Sequence, residues 1–245
     1  MSPRIVATIE ARMTSTRLPG KVLRPAVGKP YLELMVERLK RVPSLDGIVI
    51  ATTTNATDDP VVELAERLGV GWYRGSEEDV LTRVLEAAKA HAVDVIVETT
   101  GDCPVIDPDI VEQCIASYRA GGADYVSNFL VRDYPIGMET QVFATDVLAD
   151  VARRTDDPSD HEHVSLFIYR HPELYRLRDV VAPPELTDPD LRLTLDTPED
   201  DRLLSLLFER LYPRHPAFTL ADILGLIRDE PALRAINGHV QRKPL

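Results

Sequence analysis

Ile5-Val6-Ala7-Thr8-Ile9 runs directly into Glu10-Ala11-Arg12-Met13-Thr14-Ser15-Thr16-Arg17-Leu18-Pro19-Gly20-Lys21, and this junction decides the fold. The first five residues form an unbroken, mostly apolar run of the kind that is buried on both faces of a parallel sheet. The loop after it carries three cations among small and hydroxyl residues, which suits a polyphosphate. Arginine offers a planar donor fork and lysine a compact charge, while Thr14, Ser15, Thr16 and Gly20 allow close backbone approach to phosphate oxygens. The competing reading is an ordinary basic surface loop. Against it, the chain has a net charge of -12, so a cation cluster is locally unusual. The loop also lies beyond the carboxyl end of a strand, where open α/β sheets bind ligands.

Outward from this junction, β-rich runs alternate with helical patterns. Ile48 to Thr53, Val70 to Tyr73 and Val93 to Thr99 read as further strands. Tyr31 to Arg41, Asp59 to Leu68 and Asp79 to His91 place apolar residues at helical spacing with charges opposite. Asp58-Asp59-Pro60 starts the second helix and Gly69 ends it, and Asp107-Pro108-Asp109 starts another that runs to about Arg119. The pattern predicts βαβ units in an α/β, Rossmann-like, mostly parallel sheet. From Asp124 it changes: Tyr125 to Asn128 and Thr140 to Phe143 read as strands about a turn-rich segment, and Leu174 to Val181 as another after a helix near Asp160 to His171. Residues 125–190 are expected to form a small inserted lobe within one domain spanning 1–245. Leu191 to Leu195 reads as a final strand before a long amphipathic helix, and the last ten residues read as a tail. There is no internal repeat or low-complexity linker.

At 245 residues, 44% hydrophobic and 28% charged, the chain can bury one sizeable core. No apolar run is long enough to span a bilayer, and the opening Met1-Ser2-Pro3-Arg4 lacks a secretory pattern, so a cytoplasmic protein is expected. Cys103 and Cys114 have neither framework nor metal-ligand spacing and are expected to be unpaired thiols. The 40 acidic residues against 28 basic ones disfavour nucleic-acid binding, which requires a basic face.

A triphosphate site usually adds a hard divalent cation to its arginines and lysines. Asp102, in Thr100-Gly101-Asp102-Cys103-Pro104, and Asp196 each follow an expected strand and are the candidate metal ligands. Taken alone, Asp102 also reads as a turn aspartate and Asp196 as a helix N-cap. Together with the basic loop, the metal reading is preferred.

The run from Ala11 to Lys21, then Arg74-Gly75-Ser76-Glu77-Glu78-Asp79-Val80-Leu81, Thr100 to Pro104 and Leu195-Asp196-Thr197-Pro198-Glu199-Asp200, resembles the cytidylyltransferases that activate sugar acids. The similar branch is that of spore-coat polysaccharide biosynthesis protein F, related to the acylneuraminate and KDO cytidylyltransferases. The resemblance extends from Ile5 to about Leu211 and implies a nucleotidyltransferase fold, use of CTP and Mg2+, and commonly a homodimer. Carried over, Arg12, Arg17 and Lys21 would hold the triphosphate. Ala11, Ser15 and Gly20 shape the loop, and Thr53, Gly75 and Ser76 approach the nucleoside. Asp102 and Asp196 match the family's metal-binding aspartates, and His163 the histidine facing the acceptor. The chain departs from the pattern in Pro135-Ile136-Gly137-Met138-Glu139-Thr140-Gln141, where an arginine and Gly-Leu-Asp-Val-Glu are usual, and at Glu10, where glutamine is usual. Glu139 and Gln141 therefore alter charge or reach where an acceptor binds.

Asp160-His161-Glu162-His163 resembles a metal cluster, but histidines two apart on a helix point to different sides. Arg192 is a candidate for an acceptor carboxylate or for a structural ion pair, and Tyr134 for the same pocket or for packing. The expected reaction is in-line attack by an acceptor oxygen on the α-phosphorus of CTP, with release of pyrophosphate. The acceptor is a small anion, a sugar acid such as a nonulosonic acid or a phosphonate. Two alternatives stand: a UTP- or dTTP-dependent sugar-1-phosphate nucleotidyltransferase, which usually opens on a glycine-rich loop absent here, and a catalytically silent nucleotide-binding scaffold.

Overall fold

Strand β1 (Ile5–Glu10) is buried through its first five residues because both of its faces are covered by helices. The computed structural model describes residues 2–241, so part of the expected C-terminal tail, 242–245, lies outside the described residues. After a two-stranded ribbon of β2 (Pro25–Ala26) and β3 (Lys29–Pro30), the chain runs through α1 (Tyr31–Leu39), β4 (Gly47–Thr53), α2 (Asp59–Leu68), β5 (Gly71–Gly75), α3 (Val80–Ala90), β6 (Val95–Thr100) and α4 (Pro108–Arg119). It continues through β7 (Tyr125–Ser127), β8 (Gln141–Ala144), α5 (Thr145–Arg154), α6 (Pro158–Glu162), α7 (Leu166–Arg170), β9 (Leu177–Asp179), α8 (Pro198–Leu211) and α9 (Leu220–Asp229).

The seven-stranded sheet has the order β5-β4-β1-β6-β8-β7-β9. Its first four strands are parallel, β8 runs antiparallel to both β6 and β7, and β9 pairs parallel with β7. The fold is thus α/β with a mostly parallel central sheet, as the alternating pattern predicts. Residues 125–190 contribute their three strands to this same sheet. Because β1 lies between β4 and β6, the connections leave its two sides in opposite directions. The crevice beyond β1 and β6 is the topological switch point at which such sheets hold ligands.

The two strand ends meet there closely. Gly101 N–H donates to the Glu10 carbonyl at 2.8 Å, and a Cβ at Gly101 would lie 2.8 Å from that oxygen. Only glycine permits this approach without displacement.

Alternate faces of β1 feed separate cores. Ile5, Ala7 and Ile9 pack with α1, α2 and α4, whereas Val6 packs with α3, α5 and α7. A third cluster joins Leu191, Leu193 and Leu195 to α8 and α9.

Two expectations change, and one competing reading falls. Leu191 to Leu195 is extended but is no sheet strand: it makes one isolated bridge, Arg192 with Ile136. Its leucines are held by helices instead of by a ladder. The helix expected over Asp160 to His171 breaks into α6 and α7, with Val164 at φ 33 between them. That conformation is costly for a β-branched residue. Finally, α8 is capped by Thr197 and not by Asp196: Thr197 Oγ1 accepts from Asp200 N–H at 3.3 Å, and the Asp200 carboxylate accepts from Thr197 N–H at 3.0 Å. Thr197→Ala is expected to lower stability by about 1 kcal/mol, read as a lower midpoint in urea with an unchanged slope. Helices α5 and α9 carry no expectation from the sequence reading above.

Candidate active site

The loop after β1 is pinned at both ends before any ligand arrives. Met13 N–H donates to Asp58 at 2.7 Å, and Asp58 is itself held by the Thr53 hydroxyl. Gly20, at φ 70, closes the loop by donating to the Met13 carbonyl at 2.9 Å. A cleft of about 560 Å³ opens beneath, lined by Ala11, Arg12, Ser15, Arg17, Lys21 and, from the far side, Asp102, His163 and Asp196.

Lys21 is the centre of the charge arrangement. Its Nζ lies 2.7 Å from Asp102 Oδ2 and 2.8 Å from Asp196 Oδ1, so one cation joins carboxylates 94 residues apart. Burial disfavours the ammonium, but attraction by Asp102 and Asp196 prevails and raises the Lys21 pKa above that of an ordinary lysine. Burial also penalises the Asp102 carboxylate, yet Lys21 and the Thr100 hydroxyl, at 2.6 Å, hold its pKa below the usual range. Arg17 reaches Asp196 at 2.9 Å. Arg12 stands at the opposite end, 3.3 Å from Glu77, whose carboxylate also accepts from Thr14 and from Asn55 at 2.5 Å.

A second chamber of about 520 Å³ continues from the first across Glu10, Asp102, His163 and Asp196. Its walls include Glu139, Gln141 and Arg192. Arg192 is committed to a buried ion pair: it contacts Asp196, and its Nε lies 3.0 Å from Asp200 Oδ1, with the arginine side chain 6% exposed. It therefore fixes Asp196. Tyr134 sits behind the wall, facing a small cavity that shares Phe129, Arg132, Ile136 and Glu139 with the chamber. The turn bearing Glu139 is held by Gly137, whose N–H donates to Glu139 at 2.6 Å. At φ 106, with the Leu193 backbone 2.8 Å from where a Cβ would be, Gly137 brings this turn onto the 191–195 segment.

The other expected residues stand one step back. Thr53 is buried and supports Asp58, Gly75 packs against Arg83, and the Ser76 carbonyl accepts from Arg83. None of the three lines either chamber. The two histidines separate, as their spacing predicts. His161 Nδ1 lies 2.7 Å from Asp79 and Nε2 3.0 Å from the Thr155 carbonyl, whereas His163 faces both chambers. Sequence reasoning missed Arg83, Glu98, Phe129 and Tyr169 as cleft residues. Glu98 carried a usable signal, being a charge inside the apolar strand Val93 to Thr99.

The fit of a divalent cation to this site rests on its donors. Two hard carboxylate oxygens already converge on one cationic atom, next to a loop suited to phosphates, and Mg2+ is typically held by one or two carboxylates with phosphate and water completing its shell.

A family model described as cytidylyltransferase matches residues 6–219. The chain is 34% identical over 232 residues to the spore coat polysaccharide biosynthesis protein SpsF of Bacillus subtilis, covering 93% of this chain and 95% of that protein. The structure of a cytidylyltransferase from Leptospira borgpetersenii matches with a TM-score of 0.89 at 31% identity, over 99% of this chain and 100% of that one. The CMP:2-keto-3-deoxy-manno-octonic acid synthetase complexed with CTP matches with a TM-score of 0.64 at 21% identity, over 85% of this chain and 100% of that one, a likeness of fold.

Proposed function

The chain belongs to the cytidylyltransferase family, and from that premise we propose that it transfers CMP from CTP to a small anionic acceptor, releasing pyrophosphate. The observation that carries the reading is the Lys21 bridge between Asp102 and Asp196 at the junction of two chambers. One chamber lies beneath the basic loop and takes the nucleotide. The other takes the acceptor, a sugar acid or a phosphonate.

An acceptor oxygen attacks the α-phosphorus; the new P–O bond forms as the bond to the leaving pyrophosphate breaks. Arg12, Arg17 and Lys21 neutralise the charge that builds on the leaving group, which is where preorganised cations contribute most. Asp102 and Asp196 would hold Mg2+, which when bound supplies Lewis-acid neutralisation of phosphate charge. Arg192 and Asp200 keep Asp196 aimed, and the Thr100 hydroxyl does the same for Asp102. His163 borders both chambers and contacts the acceptor. The reading carries a homodimer, from the family resemblance, and a cytoplasmic location. Among the described residues no helix is long and apolar enough to cross a membrane.

Calorimetric titration of CTP, UTP, dTTP, ATP and GTP with Mg2+ present tests the nucleotide before any acceptor is known. Tightest binding of CTP is expected. Preference for UTP or dTTP would move the reading to a sugar-1-phosphate enzyme, and absence of any binding heat would overturn it.

A further inference from the structure

Glu10 and Glu98 both line the acceptor chamber, and among the described residues neither makes an ion pair. Glu98, 2% exposed on β6, lies beside Glu10, which ends the neighbouring strand β1. Glu98 accepts from the Gln141 side-chain amide. Gln141 Oε1 accepts from the Tyr125 hydroxyl at 2.9 Å and from Ser165. Burial, and then Glu10, push the Glu98 carboxyl well above the ordinary range.

Two of the chamber's arginines are already paired. Arg17 pairs with Asp196, Arg192 pairs with Asp196 and Asp200, and Arg132 is exposed at the rim. Arg83 and His163 attract Glu10, but neither makes an ion pair with it among the described residues. A second polar group in the same wall also lacks a partner among the described residues: Thr194 is 8% exposed and its hydroxyl makes no hydrogen bond to them. Buried charge and buried hydroxyls are costly when left without partners, and a ligand bearing a cation and acceptor atoms would complete both.

We infer that the acceptor carries a protonated amine in addition to the oxygen that attacks phosphorus, and that Glu98, beside Glu10, recognises it. The inference rests on the CMP-transfer reading and narrows it to zwitterionic acceptors. Two sources share this chemistry, aminoalkyl phosphonates and amino-substituted nonulosonic acids. In both, the ammonium answers Glu98 and Glu10, and the anionic end is left for the junction at His163.

The test is pyrophosphate release with CTP and Mg2+ from two matched pairs. These are 2-aminoethylphosphonate against 2-hydroxyethylphosphonate, and 4-amino-4-deoxy-N-acetylneuraminate against N-acetylneuraminate. In the pair whose backbone the chamber accepts, the amine form is expected to show kcat/KM higher by about ten-fold or more, because a site built for a polar group discriminates against its replacement. Glu98→Gln is expected to bring that ratio close to one while CTP binding heat is retained, a selectivity change that a purely structural role would not produce. Should Glu98→Gln not bind CTP, Glu98→Asp keeps the charge and shortens its reach, and the ratio must fall in that variant. Equal or better use of the hydroxyl form in both pairs overturns the inference. So does a ratio that survives the Glu98 substitutions, or failure of all four compounds with a protein that binds CTP. Loss of CTP binding in the unaltered chain would instead overturn the CMP-transfer reading beneath it.

Discussion

Lys21→Ala is expected to lower kcat/KM for CTP-dependent pyrophosphate release by about 10³-fold, the upper part of the range for removing one preorganised donor to developing charge. Two separate losses combine. The triphosphate loses a cation that is 13% exposed in its side chain and so is weakly screened by solvent. Asp102 and Asp196 also lose the ammonium that draws them together at 2.7 and 2.8 Å. Lys21→Arg should recover little, since a planar fork cannot place one compact charge between two carboxylates. Steady-state kinetics together with calorimetry separates the parts: weaker CTP binding reports the first loss, and a fall in kcat at saturating CTP reports the second. Unchanged kcat/KM in a folded Lys21→Ala protein would remove this lysine from the reaction.

Asp196→Ala and Asp196→Asn are expected to fail alike, with losses at least as large as the roughly 10–100-fold typical of an outer-shell partner of a metal. If Asp196 capped α8, asparagine would rescue it, because asparagine caps a helix as well as aspartate does. Thr197 provides the cap, so that rescue has no structural basis. The variants should differ in stability instead. Asparagine can still accept a hydrogen bond from Arg192, whereas alanine removes it and leaves the buried guanidinium to Asp200 alone, at a cost of about 2 kcal/mol. Urea unfolding beside Mg2+-dependent turnover distinguishes the two effects. Normal turnover in Asp196→Asn would overturn the metal assignment.

Much of the architecture was legible because parallel strands covered on both faces must be written as apolar runs, and Ile5 to Ile9 and Ile48 to Ala51 are such runs. The start of α2 at Asp59-Pro60 and its end at Gly69, φ 64, were equally local. Leu191 to Leu195 misled because a buried run looks the same whether a sheet or a pair of helices covers it. The broken helix was illegible for a related reason. Val164 holds φ 33 only because packing around it, at 2% exposure, outweighs its preference.

For the site, the sequence by itself determined the chemistry available: a basic loop after β1, and two aspartates that follow extended segments. It also recorded Glu98 as a charge where a strand should be apolar. Only the tertiary structure decided which charges answer one another. It placed Lys21 between Asp102 and Asp196, committed Arg192 to Asp200, set Thr53 behind Asp58 and left Glu98 against Glu10. Local pattern fixes strands and caps because they depend on neighbours in the chain, whereas ion pairing depends on distance through space, and residues 21, 102 and 196 become neighbours only when the sheet and α8 close around them.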